Sequence, residues 1–198
     1  AYTLELVEVG QQVRAVVVER SATTGEPGTR LMLYLGLTQR EKFEFVLQKA
    51  VELGAAVIVP VITSRALVQD ARDVEKKAER WQRILQEAAE QSGRGRIPVL
   101  GAPLRFDAAV QDARERHDLS LIAWEEEDSL SLGAALAADQ RERVAVFVGP
   151  EGGFSEEEIT RAREAGILPV TLGPRILRME TAALVAVALV MYELGEME

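Results

Sequence analysis

Residues 144–158 read Val144-Ala145-Val146-Phe147-Val148-Gly149-Pro150-Glu151-Gly152-Gly153-Phe154-Ser155-Glu156-Glu157-Glu158, and the reading of this stretch decides the fold. Five consecutive apolar residues, three of them β-branched, predict a strand buried on both faces. A glycine-rich turn follows. Ser155 with Glu158 three places on is a capping box that opens a helix. A buried strand passing through a tight turn into a helix is the unit of a parallel α/β sheet. Outward from it the unit repeats, with strands expected at 31–35, 57–62, 119–124 and 168–172. Helices are expected at 40–53, 71–91, 131–138, 156–165 and 180–194. Phe43, Val46, Leu47, Ala50 and Val51 fall at helical spacing and Gly54 supplies the C-cap. Val74, Ala78, Trp81, Ile84, Leu85 and Ala88 form one apolar stripe. The last helix is apolar on nearly every face, so it is covered within the fold or by a second copy of the chain.

Residues 2–18 alternate loosely and Gly10 interrupts them, which predicts two short strands of a small β-structure. Thr23, Thr24, Gly25, Pro27 and Gly28 read as a linker, so a boundary is placed between 1–28 and 29–198. The chain opens at Ala1 without a methionine and enters a strand pattern at once, so a preceding segment is expected. With no cysteine, a disulfide framework and a thiolate metal site are excluded, and a reducing cytoplasm is compatible. His117 is the sole histidine, which leaves no zinc site of the usual kind within one chain, and it reads as a solvated loop residue. The longest apolar run, 182–192, is too short to cross a bilayer.

Net charge is −9, but it is unevenly spread: residues 65–105 carry a net +3 and residues 106–198 a net −11. Phosphate contacts are therefore expected from the middle of the chain. Arg65, Arg94 and Arg96 are the candidates, the last two set on a turn by Gly93 and Gly95. A solvated helix end is the plainer reading of that turn. Trp81 and Trp124 read more readily as core than as base-stacking platforms.

The glycine loop fits neither G-x-G-x-x-G nor a P-loop. Glu151, Glu156, Glu157 and Glu158 crowd a helix N-terminus that otherwise attracts phosphate. That disfavours a pyrophosphate and suits a neutral or cationic ligand, among which S-adenosylmethionine, with its sulfonium, fits. A plain strand–helix turn explains the loop equally well. The second unusual stretch is Thr171-Leu172-Gly173-Pro174-Arg175-Ile176-Leu177-Arg178-Met179-Glu180-Thr181-Ala182. Gly173-Pro174 forces a turn, and two arginines flank two apolar residues before a helix starts. Backbone groups there can read an adenine edge while Ile176 and Leu177 sandwich the ring. The alternative is that both simply plug the core.

Together, G-P-E-G-G-F-S-x-x-E at 149–158 and L-G-x-R-I-L-R-x-E-T-A at 172–182 resemble the paired C-terminal signatures of the RsmE family of 16S rRNA uracil-N3 methyltransferases. Gln48-Lys49-Ala50 with Glu52-Leu53-Gly54, Glu87-Ala88-Ala89-Glu90-Gln91-Ser92, and Ala123-Trp124-Glu125-Glu126-Glu127 agree with it. The resemblance covers about residues 31–198. One departure is Thr38-Gln39-Arg40-Glu41-Lys42, where the family usually has a Lys-Gly pair.

The resemblance implies a SPOUT-type sheet with a C-terminal trefoil knot, and a truncated N-terminal PUA-like RNA-binding β-domain in residues 1–28. It implies a homodimer and, as substrate, 16S rRNA in the small ribosomal subunit. It implies S-adenosylmethionine bound among the loops after Trp124, Val148 and Leu172. On this reading Val148, Gly149, Glu151, Gly152, Leu172, Gly173, Ile176 and Leu177 hold the cofactor. Arg178, then Arg175, stabilises charge developing on the uracil oxygens. Glu180 or a member of 125–127 accepts the N3 proton. Two other readings stand beside it: a SPOUT methyltransferase acting at another RNA position, and a non-catalytic RNA-binding or ribosome-assembly factor of the same fold.

Overall fold

In the computed structural model, residues 2–21, 25–66, 74, 76–137 and 141–197 are described. The first two strands, β1 (Tyr2–Val9) and β2 (Val13–Arg20), form an antiparallel hairpin. Every residue in them is exposed, and both faces carry apolar side chains such as Leu4, Leu6, Val16 and Val18. A two-stranded ribbon of this kind is marginal alone in water.

The remaining strands are β3 (Arg30–Gly36), β4 (Val57–Ile62), β5 (Val99–Leu100), β6 (Leu104–Arg105), β7 (Leu119–Ala123), β8 (Arg143–Val148) and β9 (Leu168–Val170). They make one sheet in the order β5-β4-β3-β8-β7-β9, with β6 also on β4, and every pairing is parallel. Alternation divides the strands between two cores. Leu31, Leu33 and Leu35 face one way, against α1 (Arg40–Glu52), α2 (Ala78–Gln91), α4 (Leu132–Leu136) and α6 (Met179–Glu193). Met32 and Tyr34 face the other way, against α3 (Phe106–Arg116) and α5 (Glu156–Glu164). Both faces are therefore dry, as the uninterrupted apolar strands require.

Local signals behave as their chemistry predicts. Gly54 takes φ 103° and closes a Schellman motif, with Ala55 N–H on Ala50 O at 2.9 Å and Gly54 N–H on Val51 O at 3.0 Å. Ser155 and Glu158 make both bonds of the capping box. The expected helix at 71–91 is described as α2 from Ala78, with 71–73 and 75 outside the described residues. Helix α3 and the short edge strands β5 and β6 add to the expected elements. The buried stripe of α3 is Phe106, Ala109, Val110 and Ala113, half of it alanine, a weak periodic signal.

Beyond β9 the chain is stitched to the segment after β7. Thr171 N–H donates to Leu130 O at 2.8 Å and Leu132 N–H donates to Thr171 O at 3.1 Å. It then turns at Gly173, φ 109°, and returns so that α6 packs on α1, α4, β3 and β8. Helix α6 buries Met179, Ala183, Ala186, Val187, Val190 and Met191, while Leu184, Val185, Ala188 and Leu189 are half-buried and Tyr192 is exposed. The all-round apolar helix thus keeps one face only partly covered.

Candidate active site

Ligands of parallel α/β sheets settle outside the carboxyl ends of the strands, and a cavity of about 740 Å³ lies there. Its walls are three loops, following β7, β8 and β9, with Lys42 of α1 and the first turn of α6. Seven of the eight expected cofactor residues line it: Val148, Gly149, Glu151, Leu172, Gly173, Ile176 and Leu177.

The loop after β8 owes its shape to close approaches. Gly153 N–H donates to Pro150 O at 2.9 Å, closing a turn in which Gly153 takes φ 66°. Gly36, at the end of β3, lies against this turn: a Cβ there would stand 2.6 Å from Pro150 Cδ and 2.7 Å from Gly149 C. Sequence reasoning passed over Gly36, for which a glycine closing a buried strand is the only signal. Gly152 faces away from the cavity toward Arg65, whose Cβ would meet an added Gly152 Cβ at 3.1 Å. Its place is therefore behind the wall and not on it.

The loop after β9 runs open. Gly173 N–H donates to Thr171 Oγ1 at 3.2 Å, and Arg175, Ile176 and Arg178 are exposed at the cavity rim. Ile176 is 88% exposed, so it cannot sandwich a ring from within; Leu177 is the half-buried one. Arg178 is the N-cap of α6, and Glu180 sits in the first turn. Glu180 Oε2 is buried and has no hydrogen-bond partner, although the residue lines the cavity. A buried acceptor with no donor is costly, and a ligand donor would satisfy it.

The acidic run after β7 divides by partner. Glu125, Glu127 and Asp128 line the cavity. Glu127 is committed: it accepts from the Ser129 hydroxyl, from Ser129 N–H at 3.0 Å, from Leu130 N–H at 3.3 Å and from Arg163 Nη2 at 3.2 Å. These bonds, the Ser129 hydroxyl foremost, hold its carboxyl below the usual range. Arg163 also lies over the Trp124 ring at 5.2 Å. Glu151 pairs with Lys42 at 3.1 Å. Burial raises its pKa, but the neighbouring Thr38 hydroxyl, its own backbone and Lys42 outweigh this and hold it low. Lys42, set by sequence in a departure from the family pattern, thus belongs to the cavity.

The three candidate phosphate contacts part company. Arg94 is buried, its side chain 5% exposed, and donates to Glu26 at 3.1 Å, Val51 O at 3.1 Å and Ala55 O at 2.6 Å. It ties the linker to α1, and nothing of it is offered to RNA. Arg65 Nη1 donates to Gly152 O at 3.0 Å and Phe154 O at 3.2 Å. Arg96 alone keeps an exposed side chain with only its backbone N–H engaged, on Glu26 at 3.0 Å. Trp81 is core, 4.4 Å from Phe43 between ring centroids. His117 is not a solvated loop residue: it is half-buried, edge-on to Tyr34 at 6.1 Å, and burial pushes its pKa down. Among the described residues no group of three or more His, Cys, Asp or Glu is placed to hold a metal, and no helix is long and apolar enough to cross a membrane.

A parallel sheet of this order, with a carboxylate-lined cavity built from loops after three neighbouring strands, defines a class, and residues 25–191 match the model of the RNA methyltransferase domain. The ribosomal RNA small subunit methyltransferase E of Mesomycoplasma hyopneumoniae is 33% identical over 172 residues, which is 86% of this chain and 73% of that protein. A putative methyltransferase of Legionella pneumophila in complex with the bound cofactor SAM has a TM-score of 0.86 at 35% identity, covering 96% of this chain and 78% of that one. The ribosomal RNA small subunit methyltransferase E of Neisseria gonorrhoeae bound to S-adenosyl methionine has a TM-score of 0.84 at 32% identity, with the same two coverages. The chain belongs to the ribosomal RNA small subunit methyltransferase E family.

Proposed function

We propose that this chain transfers the methyl group of S-adenosylmethionine to N3 of a uridine in 16S rRNA, acting in the cytoplasm on the small ribosomal subunit. The observation that carries it is that one cavity holds both the buried, unpartnered Oε2 of Glu180 and the exposed guanidinium of Arg178. The cavity fits the cofactor in kind. Its carboxylates, Glu125, Glu127, Asp128, Glu151 and Glu180, suit a sulfonium. Bound there, S-adenosylmethionine supplies an electrophilic methyl group. Val148, Gly149, Glu151, Leu172, Gly173 and Leu177 hold it, and Ile176 closes the rim.

The chain's own residues then meet the needs of a weak nucleophile. Uracil N3 carries a proton, and its lone pair becomes available as that proton leaves. Of the carboxylates near the cavity, Glu127 is saturated with donors and Glu151 is paired with Lys42. Glu125 and Asp128 are exposed to water, whereas Glu180 keeps a buried acceptor atom, Oε2, with no donor, so it takes the proton. Arg178, with Arg175 beyond it, donates to the uracil oxygens as negative charge builds on them. The half-covered face of α6, from Thr181 to Tyr192, packs on a second copy of the chain.

Methyl transfer from labelled S-adenosylmethionine to small subunits lacking the modification tests this, with Glu180→Gln and Arg178→Ala beside the wild type. Loss of rate of about a hundredfold or more in each, with cofactor binding kept, is expected. Cofactor binding without turnover by the wild type would favour the assembly-factor reading, and label on another RNA atom would move the target.

A further inference from the structure

We infer that Arg65 is a positioning residue: it clamps the loop after β8 from behind and so sets the shape of the cofactor wall. The inference rests on reading the cavity as the S-adenosylmethionine site. Three observations meet at this side chain. Its Nη1 donates to two carbonyls of the loop, Gly152 O at 3.0 Å and Phe154 O at 3.2 Å. Beside it Glu158, 1% exposed, accepts from Ser64 N–H at 2.8 Å and from Ser155 N–H at 2.9 Å. Between them Gly152 approaches Arg65 so closely that an added Cβ would lie 3.1 Å from Arg65 Cβ and 3.4 Å from its carbonyl oxygen. A cation on two carbonyls, a buried carboxylate on two amides and a close glycine contact lock residues 64–65 to residues 152–158.

The opposite side of the same loop is the wall. Gly149, Pro150, Glu151, Gly153 and Phe154 line the cavity, whereas Arg65 and Gly152 do not. Arg65 therefore acts on a ligand only through the loop. With its carbonyls committed behind, the loop keeps one arrangement before a ligand arrives, and binding costs little reordering. Without the guanidinium, Gly152 O and Phe154 O lose their donor. The loop then samples further arrangements, and affinity falls with the competent fraction. This differs from a phosphate contact, which would weaken RNA binding and leave the cofactor alone.

Two measurements on the whole chain without RNA test the assignment: amide hydrogen exchange across 149–155, and calorimetric titration with S-adenosylmethionine. Arg65→Ala is expected to speed exchange in that loop and to weaken the cofactor roughly tenfold, a change of about 1.4 kcal/mol. Because the side chain is exposed, the melting temperature of the free protein stays within about 2 °C. Arg65→Lys, whose ammonium can serve both carbonyls, recovers most of the affinity. In turnover the loss falls on KM for S-adenosylmethionine, with kcat held. Exchange in 149–155 identical to wild type overturns the inference, as does a cofactor affinity unchanged by Arg65→Ala. Faster exchange together with a wild type that binds no S-adenosylmethionine upholds the clamp and refutes the cofactor reading.

Discussion

Gly36→Ala places one methyl group between the end of β3 and the turn after β8. The atoms it meets are Pro150 Cδ at 2.6 Å and Gly149 C at 2.7 Å, with Pro150 N closer still. Ordinary contact begins near 3.4 Å, so ring and backbone must retreat by most of an ångström. Neither can yield by turning a side chain. The strands on either side are paired in register, Leu35 beside Val148, so the retreat falls on the turn itself. Overpacking of this kind costs about 2–3 kcal/mol, which at this chain length lowers Tm by roughly 4–12 °C. The displaced atoms line the cavity, and misplacement of this size near reacting groups can cost about a hundredfold in rate. Differential scanning calorimetry and a methyl-transfer assay would read these two effects and a cofactor titration the wall itself, with Gly10→Ala as control, since nothing lies within 4 Å of that position. A Gly36→Ala protein that melts within a degree of wild type and binds the cofactor equally well would refute the packing argument.

Three further outcomes are expected. Arg94→Ala strands the Glu26 carboxylate and two carbonyls and lowers stability by about 3 kcal/mol in urea; the salt dependence of RNA binding by the folded protein should not change, and a reduced slope would restore Arg94 as a phosphate contact. Glu158→Ala leaves Ser64 and Ser155 N–H groups without their acceptor and costs about 2–3 kcal/mol, so an unaltered urea midpoint would count against the buried carboxylate as a tie. Stability should fall in two stages as pH drops. Burial lowers the folded pKa of His117, so the unfolded chain takes up that proton first and stability declines below about 6.5. Burial raises the carboxyls of Glu26 and Glu196, but hydrogen bonds from Arg94 and Arg96 to the first and from Thr29 and Gly28 to the second outweigh it and hold both below the usual range, so the stability they add is lost as pH falls through the folded pKa values. His117→Gln should remove the first stage and keep the second; a retained first stage would assign it to another group.

Much of the fold was legible along the chain because it rests on neighbours within four residues. The apolar runs at β3, β4 and β8, the C-cap at Gly54 and the capping box at Ser155 all declare themselves locally. The same holds for two of the three loops that wall the cavity, those after β8 and β9, since glycine spacing and flanking charges marked them before their contacts were known. Helix α3 escaped because its buried stripe is half alanine, and alanine signals helix without signalling a face.

Partners were another matter. Arg94 and Arg96 are two residues apart on one glycine-flanked turn, yet one is buried in an ion pair with Glu26 and the other is exposed. Arg65 and Gly152 are 87 positions apart and meet face to face. Among the carboxylates near the cavity, composition ranks none above the others; the donors around Glu127 and the lack of one at Glu180 separate them. By itself the sequence determined the buried parallel strands, the helix caps and the two loops, because each follows from short-range sterics, hydrogen bonding and hydrophobic periodicity. Only the tertiary structure decided which cation is a tie and which is free, which acceptor is idle and why Gly36 admits no side chain, because each depends on groups far apart in the chain competing for the same space and the same hydrogen bonds.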